Sequence, residues 1–186
     1  MKRLALIAVL LALSCGARGE ISFSQLAQIT GIPDKHGGSF VQEKYLQVVD
    51  ASLESRGVFD YERGKSIRWE ILEPIQSELL LTPAGISSDD SGESLLQLDA
   101  SANPAVAALG EIFFALLTAD WEMLESHLEL SGSIDGDKWH AVLEPLESTT
   151  RLVFTRVELH GGKLIEKIVL HESSGDRTTI RLEQLP

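Results

Sequence analysis

The sequence predicts an α+β fold in which a long, strongly curved antiparallel β-sheet carries a few short helices. Three observations predict it. Four consecutive stretches of strand-like alternation lie between Gly38 and Ala84, an apolar stripe at helical period follows Pro104, and further alternating stretches run from His127 to Leu182. The last group is punctuated by Asp135-Gly136-Asp137, Gly161-Gly162 and Ser174-Gly175-Asp176. A sheet of about 10–11 antiparallel strands must curl, toward an incomplete barrel.

The N-terminus reads as a secretory signal peptide over residues 1–19: Lys2 and Arg3, an apolar run from Leu4 to Leu13, and the small-x-small signal Ala17-Arg18-Gly19. The apolar core is too short to span a bilayer, which takes about 20 residues. Cleavage leaves residues 20–186 as a single exported domain and removes the only cysteine, Cys15. A lipoprotein signal places a branched aliphatic residue three before the cysteine and a small one two before it. Here Ala12 and Leu13 exchange those places, which favours an inert residue of the removed segment over a lipid anchor. Without Cys15 the chain has no thiol chemistry. The net charge of −12 becomes −15 once Lys2, Arg3 and Arg18 are gone, which argues against nucleic acid and anionic headgroups as partners.

Phe23 to Ile32 reads as a short helix capped by Ser22 or Ser24, with Leu26 and Ile29 on one side and Gly31 and Pro33 ending it. Asp34 to Gly38, with a solvated His36, reads as a connection. The first strand, Gly38–Val49, sets Phe40, Gln42, Lys44, Leu46 and Val48 on one face. Gly57 opens a second, in which Phe59, Tyr61 and Arg63 alternate with Val58, Asp60 and Glu62. A third, Ser66–Leu72, puts Ile67, Trp69 and Ile71 together and stops at Pro74. A fourth spans Glu78–Thr82, and a polar loop from Ser87 to Ser94 leads to a strand at Leu95–Asp99. Pro104 begins a helix capped by Asn103 and ending near Thr118, with Val106, Leu109, Ile112, Phe113, Leu116 and Leu117 on its apolar stripe. Asp120–Ser126 adds a helical turn. Strands follow at His127–Ile134, Trp139–Leu143, Leu152–His160, Lys163–His171 and Arg177–Leu182, with one helical turn over Leu146–Thr150.

No nucleophile elbow, phosphate-binding glycine loop or His-Glu-x-x-His occurs. The five histidines, His36, His127, His140, His160 and His171, show no ligand spacing along the chain, although His160 and His171 can approach across the final hairpin. No catalytic residue, metal or cofactor is expected.

Ser39-Phe40-Val41-Gln42, Gly57 with its aromatic strand, Arg63, Trp69, Glu73-Pro74 and Leu79 to Leu81, followed by the helix after Asn103-Pro104 and the Leu-Glu-Pro end of the strand at Pro145, resemble the LolA family of periplasmic lipoprotein carriers, in a divergent, short branch. The resemblance implies a non-enzymatic, monomeric carrier that takes acyl chains into a hydrophobic cavity between sheet and helical lid. Its cargo would be a lipoprotein or other acylated lipid, received from an inner-membrane donor transporter and passed to an outer-membrane acceptor. Burial of an acyl chain of about 16 carbons is worth about 10 kcal/mol, so such cargo needs shelter on its way through water. On this basis the cavity wall is assigned to Phe59, Tyr61, Trp69, Ile71 and Leu81, the lid to Val106, Leu109, Ile112, Phe113 and Leu116, and the lid latch that promotes release to Arg63. The chain departs from the family at Gly64, where a proline usually follows the arginine, and ends at Pro186 without the longer C-terminal segment of enterobacterial carriers. Periodicity alone favours an ordinary core under a helix, a preference the resemblance reverses, and a lipid-sensing or scaffold module on the same sheet is the alternative function.

Overall fold

The computed structural model describes residues 21–82, 85–88 and 104–184. The expected signal peptide, the strand at Leu95–Asp99 and the Asn103 cap lie outside them.

Helix α1 (Phe23–Ile29) begins at Ser22, whose hydroxyl accepts from the Gln25 amide while the Gln25 side chain accepts from the Ser22 amide. Two otherwise orphaned donors are thereby satisfied at once. The helix is shorter than expected because Thr30 is already extended, and it buries Phe23 and Leu26 while Ile29 stays exposed.

Strand β1 (Lys35–Leu46) starts earlier than the sequence suggests, because Lys35 to Gly38 pair with Phe59 to Glu62 of β2 (Ala51–Glu62). The expected connection at 34–38 is therefore mostly strand, and His36 is half-buried edge-on to Phe59 rather than solvated. At the other end β1 stops at Leu46. A 3-10 turn, Gln47–Val49, closes the hairpin with Asp50 at φ 50°, leaving Val48 and Val49 exposed. Gly57 thus lies inside β2, not at its start, where the β2–β3 register shifts. A Cβ there would come 2.0 Å from the Glu70 carbonyl oxygen and 2.6 Å from the Phe40 ring, so only glycine lets Phe40 lie across the strand.

β3 (Ser66–Glu73), stopped by Pro74 as expected, β4 (Ser77–Thr82) and β5 (Gly85–Ser88) continue the meander. β5 takes up Ser87 and Ser88, which the sequence reading gave to a loop. Helix α2 (Pro104–Thr118) has the predicted bounds. After Ala119, α3 (Trp121–His127) is a true helix capped by the Asp120 side chain, which accepts from the Met123 amide. β6 (Leu128–Asp135), β7 (Lys138–Pro145), the short α4 (Ser148–Arg151), β8 (Phe154–Gly161), β9 (Ile165–Glu172) and β10 (Arg177–Gln184) complete the chain.

These strands form one ten-stranded antiparallel sheet in the order β5-β4-β3-β2-β1-β10-β9-β8-β7-β6. Every neighbour is a hairpin partner except at the centre, where β1 pairs with β10 from the far end of the chain. The edge strands β5 and β6 stay unpaired with each other, so the curved sheet is not closed. The chain passes from one edge to the other through α2 and α3. Alternating strand direction gathers the turns 47–50, 74–76 and 173–176 and the 146–153 connection at one end, and the turns 63–65, 136–137 and 162–164 at the other.

Candidate functional site

Inward residues of β1 to β4 form an aromatic wall centred on Trp69. Phe40 stacks on Trp69 with ring centroids 3.9 Å apart, and Phe59 lies 6.0 Å away on the other flank. Their alignment follows from register: Phe59 is directly opposite Trp69, and Tyr61 opposite Ile67, which is in turn opposite Leu81 of β4. Of the residues assigned to the wall, Phe59, Tyr61, Trp69 and Leu81 are buried on this concave side, whereas Ile71 is only partly buried at its margin. Phe40 and Ile67 belong to the same wall and were missed, although both lie on the period-two face that carries the assigned residues.

Helix α2 lies over this wall. Ile112, Ala115 and Leu116 are buried in the same apolar cluster, and Phe113 meets Trp69 edge to face at 6.2 Å. The side chains of Val106 and Leu109 lie outside the described residues. Across the molecule α3 turns Trp121 against Trp139 of β7, 5.7 Å apart and nearly perpendicular. Both of these indole N–H groups have an acceptor: Trp121 donates to Thr30 Oγ1 and Trp139 to the Gly162 carbonyl, both at 2.7 Å.

The fit is tight. A void of about 20 Å³ lies where Leu117, near the end of α2, meets Phe59, Tyr61 and Ile67 of the wall and Ile32, Leu164 and Ile165 from neighbouring segments. That is room for about one water molecule, not an acyl chain. Over the described residues the apolar wall is covered by Ile112, Phe113 and Leu116 of α2 itself. A wider groove of about 580 Å³ opens elsewhere, at Lys35, Asp60, Glu62 and Arg68, and its charged lining suits no hydrocarbon. Among the large apolar side chains left exposed, Val48, Val49, Ile75, Leu146 and Leu152 belong to connections at the end of the sheet that holds the 47–50 turn.

Arg63 does not continue the Phe59–Tyr61 face. β2 ends at Glu62, and Arg63 sits in the turn with its side chain more than half exposed, so it avoids the cost of a buried guanidinium. Its Nε lies 2.9 Å from Asp34 Oδ1, and its Nη2 donates to the Ile32 carbonyl. The arginine thus clasps the segment between α1 and β1 rather than α2. Nearby, burial raises the Tyr61 phenol above its ordinary value, against the lowering effect of Arg63.

An open, curved antiparallel sheet whose aromatic concave face is roofed by a crossing helix defines the class of fold. Within it the chain belongs to the LolA family: the family described as Outer membrane lipoprotein carrier protein LolA matches residues 34–186. No curated protein matches the chain. Among solved structures, a LolA superfamily protein from Nitrosomonas europaea aligns over 88% of this chain and 93% of its own at 12% identity and a TM-score of 0.44. MucB aligns over 86% of this chain at 16% identity and a TM-score of 0.47, and this chain spans 55% of MucB's length. A putative outer membrane lipoprotein-sorting protein domain from Vibrio parahaemolyticus aligns over 87% of this chain and 89% of its own at 8% identity and a TM-score of 0.37. Among the described residues no helix is long and apolar enough to cross a membrane.

Proposed function

We propose that this protein is a non-enzymatic periplasmic carrier that shelters the acyl chains of a lipoprotein or other acylated lipid between its aromatic wall and α2. The observation that carries this reading is the contact of α2's apolar side chains with a wall of aromatic and aliphatic side chains, in a chain that belongs to the LolA family. Cargo gains its binding energy by replacing Ile112, Phe113 and Leu116 on Phe59, Trp69 and Leu81, so each acyl carbon buried displaces a protein carbon already buried. Net affinity is therefore far below the roughly 10 kcal/mol that burial of the free chain would give, and release is possible. Cargo arrives from a donor in the inner membrane and leaves to an acceptor in the outer membrane, and the carrier works as a monomer.

Arg63 has a defined place in this cycle. By holding Asp34 and the Ile32 carbonyl it fixes the mouth of the sheet beside Tyr61, favouring the closed, empty state and hence release. Exposed ion pairs contribute about 0–1 kcal/mol, so Arg63→Leu should leave folding intact while the purified protein retains more lipid and releases it more slowly. Unchanged release kinetics would remove the arginine from the cycle.

The test of the function itself is mass spectrometry of lipid extracted from the protein purified from its own envelope, together with titration of a fluorescent acyl probe followed by tryptophan emission. Bound acylated lipid and saturable quenching are expected. A protein that repeatedly extracts empty and ignores the probe is not a carrier. The apolar contact of α2 with the wall suits a second reading as well, a scaffold or lipid-sensing module of the envelope, which predicts a stable complex with a protein partner and no transferable cargo.

A further inference from the structure

The convex face of β7, β8 and β9 carries a cluster that neither the carrier reading nor the family match uses. His140 and His160 are register partners across β7 and β8, flanked by buried Trp139, Ala141 and Leu159, so alternation turns both imidazoles outward. Their rings stack with centroids 4.5 Å apart. Glu158, two residues before His160, shares that face. One donor atom from each of His140, Glu158 and His160 lies within 4.8 Å of the others, and all three residues are half-buried.

We propose that His140, Glu158 and His160 form a binding site for a divalent transition-metal cation of the zinc class. Two neutral imidazoles and one carboxylate are a donor set for such an ion, leaving a fourth position to water. At metal–ligand bonds of about 2.0–2.2 Å, tetrahedral donor atoms sit about 3.4 Å apart, so small side-chain rotations on a rigid two-strand platform close the site. The neighbouring groups fit this role. His171 Nε2 is 2.8 Å from Glu158 Oε1, and Arg156 Nη2 is 3.1 Å from the same oxygen. Both partners occupy Oε1 and orient the carboxylate from outside, leaving Oε2 for the ion. Arg156 and Lys167, the register partner of His160, place two cations beside the site and limit its affinity to a moderate value. The ion would clamp β7 to β8 far from the concave face, so the site stands independently of any cargo.

The experiment is calorimetric titration of the tag-free full-length mature protein with Zn2+ alone. One ion per chain is expected, with His140→Ala, His160→Ala and Glu158→Gln each weakening binding by about tenfold or more and His171→Ala by less. In the wild type, zinc should shift the imidazole resonances of His140 and His160 and leave those of His36 and His127 unchanged, a readout that needs no variant to fold. The proposal is overturned if the wild type binds no zinc, if His140→Ala and His160→Ala bind it with unchanged affinity, or if other histidines carry the shifts.

Discussion

At the scale of single residues, the wall depends on places where backbones and rings meet without room to spare. Gly57 is the sharpest of them, since a methyl group there meets both the Glu70 carbonyl and the Phe40 ring. The carbonyl belongs to a ladder and cannot rotate away, and Phe40 is fully buried against Trp69. Gly57→Ala should therefore cost about 3 kcal/mol, the upper range of overpacking, read as a lowered urea midpoint at unchanged slope. Tyr61 makes a prediction about pH. Burial raises its phenol in the folded state, so folding binds that proton more tightly than the unfolded chain does. Stability from Tyr61 is complete below the ordinary phenol value of about 10 and is lost as pH rises through the higher folded value. Tyr45, raised by its hydrogen bond to Asp50, has the same sign. Chemical denaturation between pH 9 and 11 should show a loss of stability that is shallower in Tyr61→Phe. Parallel slopes for the two proteins would mean that the phenol is as hydrated in the fold as outside it.

At the scale of elements, α2 decides between a carrier and a plain core. Phe113 is its point of contact with Trp69 and is only partly buried, so truncating it loosens the roof without emptying the centre of the protein. Phe113→Ala should destabilise the closed state by about 3 kcal/mol. If cargo must displace α2, the same change raises the open fraction and with it the apparent affinity for an acyl probe, since that affinity scales with the binding-competent population. A core residue would give the loss of stability with no gain in binding. The bounds of α2 were legible because Pro104 and a stripe at period 3.6 agree. The hairpins at Gly136 and Gly161-Gly162 were legible because their turn residues are unambiguous. What escaped the sequence has common physical causes. β1 overran its expected start because pairing with β2, not local propensity, makes Lys35 to Gly38 a strand. Val48 and Val49 look like strand by β-branching yet end up in a turn that exposes them. The face of Arg63 was misread because alternation says nothing about where a strand stops. The histidine cluster was invisible along the chain because its members meet through register, twenty residues apart from His140 to His160.

At the scale of the whole molecule, the chain order sets a gradient of stability. β1 is held on both sides, by a ladder to β2 along its full length and another to β10, so the centre of the sheet cannot open without joining the two ends of the chain to the event. α2 and α3 instead belong to the crossover between β5 and β6, the edges of the sheet among the described residues, and α2 rests on the wall through side chains of one apolar cluster. Such an element can leave while every ladder in the sheet stays intact. Native-state hydrogen exchange should then show α2 amides opening at a free energy well below that of β1 and β10, with little dependence on denaturant. An acyl probe should change exchange in α2 and leave the β1–β10 ladder unaffected. If α2 instead exchanges only through the same global event as the centre of the sheet, the helix is a permanent part of the core, and no path exists by which cargo could reach Trp69.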